Sequence, residues 1–222
     1  WYSYHRTRSK VAKAGASYAF NDPVLFSAAN TGNYRVGFDT IHNRSAFPIP
    51  VGTDEGRFRS TNRTTWFDRL FAATASSGTP LRNALDRTGK YFEDGSETGP
   101  WGPQAPGSQY ACRQNFTIMT TDGFWNGGGP TVGNVDGTDG PTVTRDGGDA
   151  YTYAAKPPFS DEYENTLADV AMHYWKRDLR TDSGMVNIVP TSATNPAFWQ
   201  HMVTFGISIG LRGSLDPDTA AR

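Results

Sequence analysis

Between Arg8 and Phe20, the small and apolar residues Val11, Ala12, Gly15, Ala16 and Ala19 recur at helical spacing before the stop Asn21-Asp22-Pro23, which predicts an amphipathic helix. The period then falls to two. Tyr34, Val36, Phe38 and Thr40 alternate with the opposite face between Gly32-Asn33 and His42-Asn43, the pattern of a strand over Tyr34–Ile41. Trp66, Leu70 and Phe71 mark a second helix, and Leu81, Ala84, Leu85 and Thr88 a third, with Thr79 as its expected N-cap and Pro80 as its first helical residue. Asn115–Thr120 reads as a short strand ending at Thr121-Asp122-Gly123. From Glu164 to Leu179, Leu167, Val170, Ala171, Tyr174 and Trp175 share one helical face. A short helix is expected from Asn195-Pro196 to His201, and Met202–Gly210 reads as a buried strand.

Three Gly- and Pro-rich stretches near 43–61, 93–114 and 126–160 carry no sustained period and read as insertions, the last with short strands of its own. Helices alternating with apolar strands predict an α/β fold with a mostly parallel sheet and helices on both faces. At 222 residues the chain fits one domain. Its 21 Lys+Arg balance 22 Asp+Glu, so the broad positive field that drives phosphate-backbone binding is missing, and nucleic acid is not the expected partner. The longest apolar stretch, Met202–Leu211, is broken by Thr, Gly and Ser and falls short of the roughly 20 residues that span a bilayer, so no membrane insertion is expected. The single Cys112 excludes an internal disulfide and a multi-cysteine zinc site.

In parallel sheets ligands gather outside the carboxyl ends of the strands, which directs attention to Asp122. A carboxylate leaving a strand just before Gly123 suits a hard cation such as Mg²⁺, Mn²⁺ or Ca²⁺. Ser77-Gly78-Thr79-Pro80-Leu81 offers a hydroxyl just ahead of a helix that α/β order places beside the Asp122 strand. Gly78-Thr79-Pro80-Leu81-Arg82-Asn83-Ala84-Leu85 and Phe116-Thr-Ile-Met-Thr-Thr-Asp122-Gly123 together resemble the Thr and Asp segments of the von Willebrand factor A fold. Three blocks narrow the likeness: Asn115–Asn126, Asn165–Leu179 and Phe198–Phe205 resemble the A-type domain of the PilY/PilC family, the tip-associated adhesins of bacterial type IV pili.

That resemblance implies a Rossmann-like three-layer sandwich and a metal-ion-dependent adhesion site in which Thr79 and Asp122 help hold Mg²⁺, Mn²⁺ or Ca²⁺ for a partner's carboxylate to complete. It implies a place on the bacterial surface at the pilus tip, with minor pilins and host or abiotic surfaces as partners. The Asp-x-Ser-x-Ser of that site occurs nowhere in the chain, so the first strand and the remaining ligands are expected upstream of Trp1. Asp94-Gly-Ser-Glu-Thr98 resembles the motif in spelling but follows a helix.

Other readings compete. Gly206-Ile-Ser208-Ile-Gly210 spells the nucleophile motif of α/β hydrolases, with His201 and Asp122 as conceivable partners, but no helical pattern follows Ser208. Asn134, Asp136 and Asp139 alternate in the manner of a calcium loop, although Arg145 stands where an EF-hand has its Glu. His5, His42, His173 and His201 show no metal-ligand spacing. Trp175 and Trp199 are expected in the core, Trp101, Trp125, Tyr151 and Tyr153 on the surface, and Asp169 either in solvent or in a structural hydrogen bond.

Overall fold

The computed structural model describes residues 5–26, 33–44, 46–122 and 125–210. In chain order these form α1 (Arg8–Ala19), a 3-10 turn (Asp54–Gly56), α2 (Ser60–Ala72), α3 (Leu81–Glu93), β1 (Asn115–Thr121), β2 (Thr142–Thr144), β3 (Ala150–Thr152), α4 (Leu167–Trp175) and β4 (Met202–Ser208).

Strands β1 and β4 pair in parallel, with Asn115 opposite Met202 and Thr121 opposite Ser208. Helix α3 turns Leu81, Ala84, Leu85, Gly89 and Phe92 inward, and α4 buries Asp169, Val170 and Tyr174. The two helices meet over one face of the sheet in a core of Leu85, Phe92, Val170, Tyr174, Leu179 and Met202, with Met119 packed against it. Each such side chain contributes roughly 1.5–3 kcal/mol on burial. Gly89 lets the helices approach: a Cβ there would lie 2.3 Å from the Tyr174 ring. That ring is held by a Tyr174 Oη–H bond to Asp86 Oδ1 at 2.7 Å. The other face of the sheet is half-exposed and apolar, bearing Phe116, Ile118, Phe205 and Ile207, with the Phe116 and Phe205 rings stacked at 6.2 Å.

The architecture is therefore mixed α/β with a parallel two-stranded sheet, compatible with a Rossmann-like layer but smaller than the sandwich expected from the sequence. A second cluster joins α1 and α2 through Phe58, Trp66 and Leu70, lined by Ala16, Phe20, Phe26, Val36 and Phe38.

Several elements differ from expectation. Tyr34–Ile41 forms only isolated bridges, Arg35 to Arg57 and Phe38 to Phe47, because its alternating side chains pack on the α2 aromatics and Gly37 O accepts from Trp66 Nε1. The 93–114 stretch is a folded part of the core: Trp101 is fully buried, donates Nε1–H to Phe92 O at 2.8 Å and stacks under Arg180. Tyr153 is also buried, Tyr151 half-buried and Trp125 exposed, so only Trp125 among these aromatics lies clearly on the surface. Within 126–160, β2 and β3 form the expected local strands, as an antiparallel hairpin whose Val143 packs with Phe198 and Trp199. No helix forms over 195–201, where buried Ala197, Phe198 and Trp199 fill the core directly. Trp175 and Trp199 pack together as expected.

Candidate functional site

The carboxyl ends of β1 and β4 form one rim. The ladder runs to its end there, with Ile209 N–H donating to Thr121 O at 2.9 Å, so Asp122 leaves the sheet beside Ser208. Gly123, which completes the predicted turn, and the stretch after Gly210 lie outside the described residues.

The loop after β1 is stitched to the segment opening α3. Asn126 Oδ1 accepts the Thr79 N–H at 2.7 Å, and Asn126 N–H donates to Thr79 O at 2.9 Å. Arg82 Nη2 and Asn83 Nδ2 donate to Gly127 O and Gly128 O. Gly78 is required by this contact, since a Cβ would stand 2.2 Å from Asn126 Oδ1. The structure thus joins the Thr79 segment to the chain that follows Asp122, from Asn126 onward. Thr79 is not the helix cap: Pro80 takes that position without a side-chain bond, and Thr79 O accepts from Leu81 N.

Asp122 carries a counter-ion from α1. Arg8 Nη1 lies 3.4 Å from Asp122 Oδ2 and 3.1 Å from Asp122 O, with both side chains more than half exposed. Such a pair contributes at most about 1 kcal/mol. Among the described residues no group of three or more His, Cys, Asp or Glu side chains is placed to hold a metal ion. Thr79 and Asp122 have the hard-oxygen chemistry Mg²⁺ takes but number too few for its near-octahedral shell.

The Asp94 look-alike is a separate structure. Its Oδ1 accepts from Ser96 N in a tight turn, and it follows the far end of α3, a 13-residue helix whose rise of about 1.5 Å per residue puts it roughly 20 Å from Thr79. Ser208 and His201 lie at opposite ends of β4, about 20 Å apart at a rise of about 3.3 Å per residue. His201 is buried, with Nδ1 against Trp199 O and Nε2 against Asn195, and burial holds its pKa below the ordinary value.

The Asn134–Asp139 loop surrounds an amine instead of standing open. Lys176 Nζ donates to Val135 O, Thr138 O, Thr138 Oγ1 and Asp139 O at 2.5 to 3.3 Å. Asn134 Oδ1 accepts from Gly137 N and Asp139 Oδ1 from Ala155 N, so both side chains brace the backbone. Asp136 is fully buried, and desolvation together with Asp169 raises its pKa to about 6.

Asp169 organises this loop. Its Oδ1 accepts Val135 N–H and Asp136 N–H at 2.6 and 3.2 Å, and its Oδ2 accepts Thr166 N–H and Oγ1–H at 2.7 and 2.9 Å. With Asp169 N–H returning to Thr166 Oγ1, this is a reciprocal cap on α4. Of the two expectations for Asp169, the structural bond is the one observed. Thr166-x-x-Asp169 ahead of an apolar run spells that cap in the sequence, whereas nothing local to Lys176 announces its acceptors.

No family model and no solved structure matches the chain. Among curated proteins, the type IV pilus biogenesis factor PilY1 of Pseudomonas aeruginosa strain PAO1 is 32% identical over 242 aligned residues, covering 97% of this chain and 20% of the relative. PilY1 of strain UCBPP-PA14 is 32% identical over 238 residues, covering 99% and 19%. The chain is homologous to these proteins over nearly all its own length and spans about a fifth of theirs.

Proposed function

We propose that this chain serves type IV pilus biogenesis and surface attachment as a von Willebrand A-type region of a larger pilus-tip protein, recognising its partner at the rim where β1 and β4 end. One observation carries the reading: Asn126, which follows Asp122 in the chain, exchanges two hydrogen bonds with Thr79, and this supports a shared place for the two oxygen-bearing segments at the strand ends. The homology to PilY1 supports the pilus context and a location on the cell surface.

In this reading Thr79 and Asp122 are part of a ligand set for Mg²⁺, or Mn²⁺ or Ca²⁺, completed by oxygens from outside the described residues; the ion's chemistry would be to accept a partner carboxylate. Minor pilins and host or abiotic surfaces are the partners. The role is adhesive, not enzymatic, a choice supported by the separation of Ser208 from His201 along β4. In the full-length protein, Asp122→Ala is expected to abolish the Mg²⁺-dependent, EDTA-sensitive part of attachment. Unchanged attachment would refute the adhesive rim.

A second reading is favoured by Arg8, whose guanidinium already serves Asp122: the rim is then an inactive site in a force-bearing pilus component. Arg8→Ala separates the two. Stronger Mg²⁺-dependent attachment supports a metal site that Arg8 competes for, and no change together with a silent Asp122→Ala supports the structural role.

A further inference from the structure

Beside the rim lies a cleft of about 680 Å³ with an aromatic wall and an acidic wall, lined by Trp125, Asp161, Glu162, Tyr163, Glu164 and Thr166. Trp125 and Tyr163 are 38% and 49% exposed, and Glu162 and Glu164 are also exposed. The eight ion pairs found among the described residues engage carboxylates elsewhere, and none involves Asp161, Glu162 or Glu164. The carboxylates of Glu162 and Glu164 thus line the cleft outside any ion pair among the described residues, next to two ring systems, and the nearby Arg82 guanidinium spends its donors on main-chain carbonyls.

Both walls are fixed before any ligand arrives. Arg82 Nη1 donates to Asn165 O at 2.7 Å on the acidic side, Nη2 to Gly127 O on the other, and its guanidinium lies 5.8 Å from the centroid of the Trp125 ring. Asn165 Oδ1 accepts Val132 N–H and Gly133 N–H, Asn134 Nδ2 donates to Asp161 O, and α4 starts immediately after Thr166. A ridge tied at both ends loses little entropy when it binds.

We infer that this cleft docks a basic polypeptide segment, taking a lysine or arginine side chain with its alkyl stem against Trp125 and Tyr163 and its charge on the carboxylates of Glu162 and Glu164. The mixed lining selects this class. Carboxylates reject anions and leave a purely apolar ligand facing desolvated charge. A bare metal ion needs converging oxygens, and no group of three metal-binding side chains is assembled among the described residues. Rings beside carboxylates match an organic cation that carries hydrocarbon, which both packs and pairs. Half-exposed walls leave the ligand's far side in solvent, as suits a side chain borne by a larger body.

The inference does not depend on the metal-bridging rim, and the test keeps the two apart by working in EDTA. Isothermal titration calorimetry of the full-length protein with hexalysine at about 50 mM salt is expected to show binding that hexaglutamate does not. Trp125→Ala and, separately, Glu162→Gln/Glu164→Gln are each expected to weaken hexalysine by about fivefold or more, within the range of cation–π and clustered-charge contributions. Far-UV circular dichroism verifies that each variant is folded. The acidic-wall variant changes only exposed groups, so it keeps the test decisive if Trp125→Ala fails to fold. Undiminished binding by the folded variants, or no difference between hexalysine and hexaglutamate, overturns the proposal.

Discussion

Asp169→Asn replaces a carboxylate by an amide of the same shape and leaves the packing of α4 intact. The native carboxylate is fully buried and accepts four hydrogen bonds, from Val135 N, Asp136 N, Thr166 N and Thr166 Oγ1. An amide has one oxygen to offer, so its NH₂ must face either Thr166 N–H or the Val135 and Asp136 N–H pair, donor against donor. Orphaning a buried donor costs about 1–3 kcal/mol, and losing the helix cap adds about 1 kcal/mol. Removing a negative charge beside Asp136 returns about 1 kcal/mol, since mutual repulsion is part of what raises the Asp136 pKa. The net expectation is a loss of about 1–3 kcal/mol, a sizeable share of the roughly 5–15 kcal/mol that holds a domain together. Urea denaturation at pH 7 followed by far-UV circular dichroism measures it. A loss under about 1 kcal/mol with an unchanged m-value would refute the claim that Asp169 joins the 132–139 loop to α4.

Asp136 gives a pH signature of unusual sign. Its folded pKa of about 6 lies above the ordinary carboxylate value of 3.8, so the folded state holds the extra proton between these values and stability falls as pH rises through that window. His201 and His173, both held below 6.5 mainly by burial, act in the opposite sense, so the informative quantity is a difference. Asp136→Asn is expected to remove the decline: its stability relative to the native chain, from urea midpoints, should rise between pH 4 and pH 7, and parallel pH profiles would contradict the assignment. Gly89→Ala is expected to destabilise by about 2 kcal/mol or more through overpacking, although alanine in a helix interior ordinarily gains about 1 kcal/mol over glycine. The Tyr174 ring lies where the methyl would go and is anchored by Asp86; a stabilised Gly89→Ala in thermal melts would show that the helices can separate freely.

Elements whose periodicity coincides with tertiary burial were legible. Leu81, Ala84 and Leu85 in α3 face the core that their spacing implies, and β1 and β4 form as strands. Strand β4, however, is not the buried strand its apolar run suggests, because only Met202 at its start is buried and Phe205 to Ser208 are exposed. Tyr34–Ile41 was misread because alternation reports which side chains are buried and says nothing of a partner strand; here the partner is the aromatic surface of α2. Trp101 was assigned to the surface because glycine and proline surround it, yet those residues shape a turn around a buried indole. At the rim, Thr79 and Asp122 were visible as residue types, while Asn126, which joins their loops, carried no distinguishing spacing. The oxygens around Lys176 come mostly from the main chain, and a main-chain carbonyl leaves no mark in a sequence.

The enclosure of Lys176 has a practical corollary. Lys10, Lys90 and Lys156 stand exposed, whereas the Lys176 amine is buried and committed to four acceptors. Acylating reagents will modify the exposed amines first, and Lys176 will react only when the loop lifts away from the end of α4. Its labelling rate is thus a built-in clock for local opening of this region, readable by mass spectrometry without adding a probe.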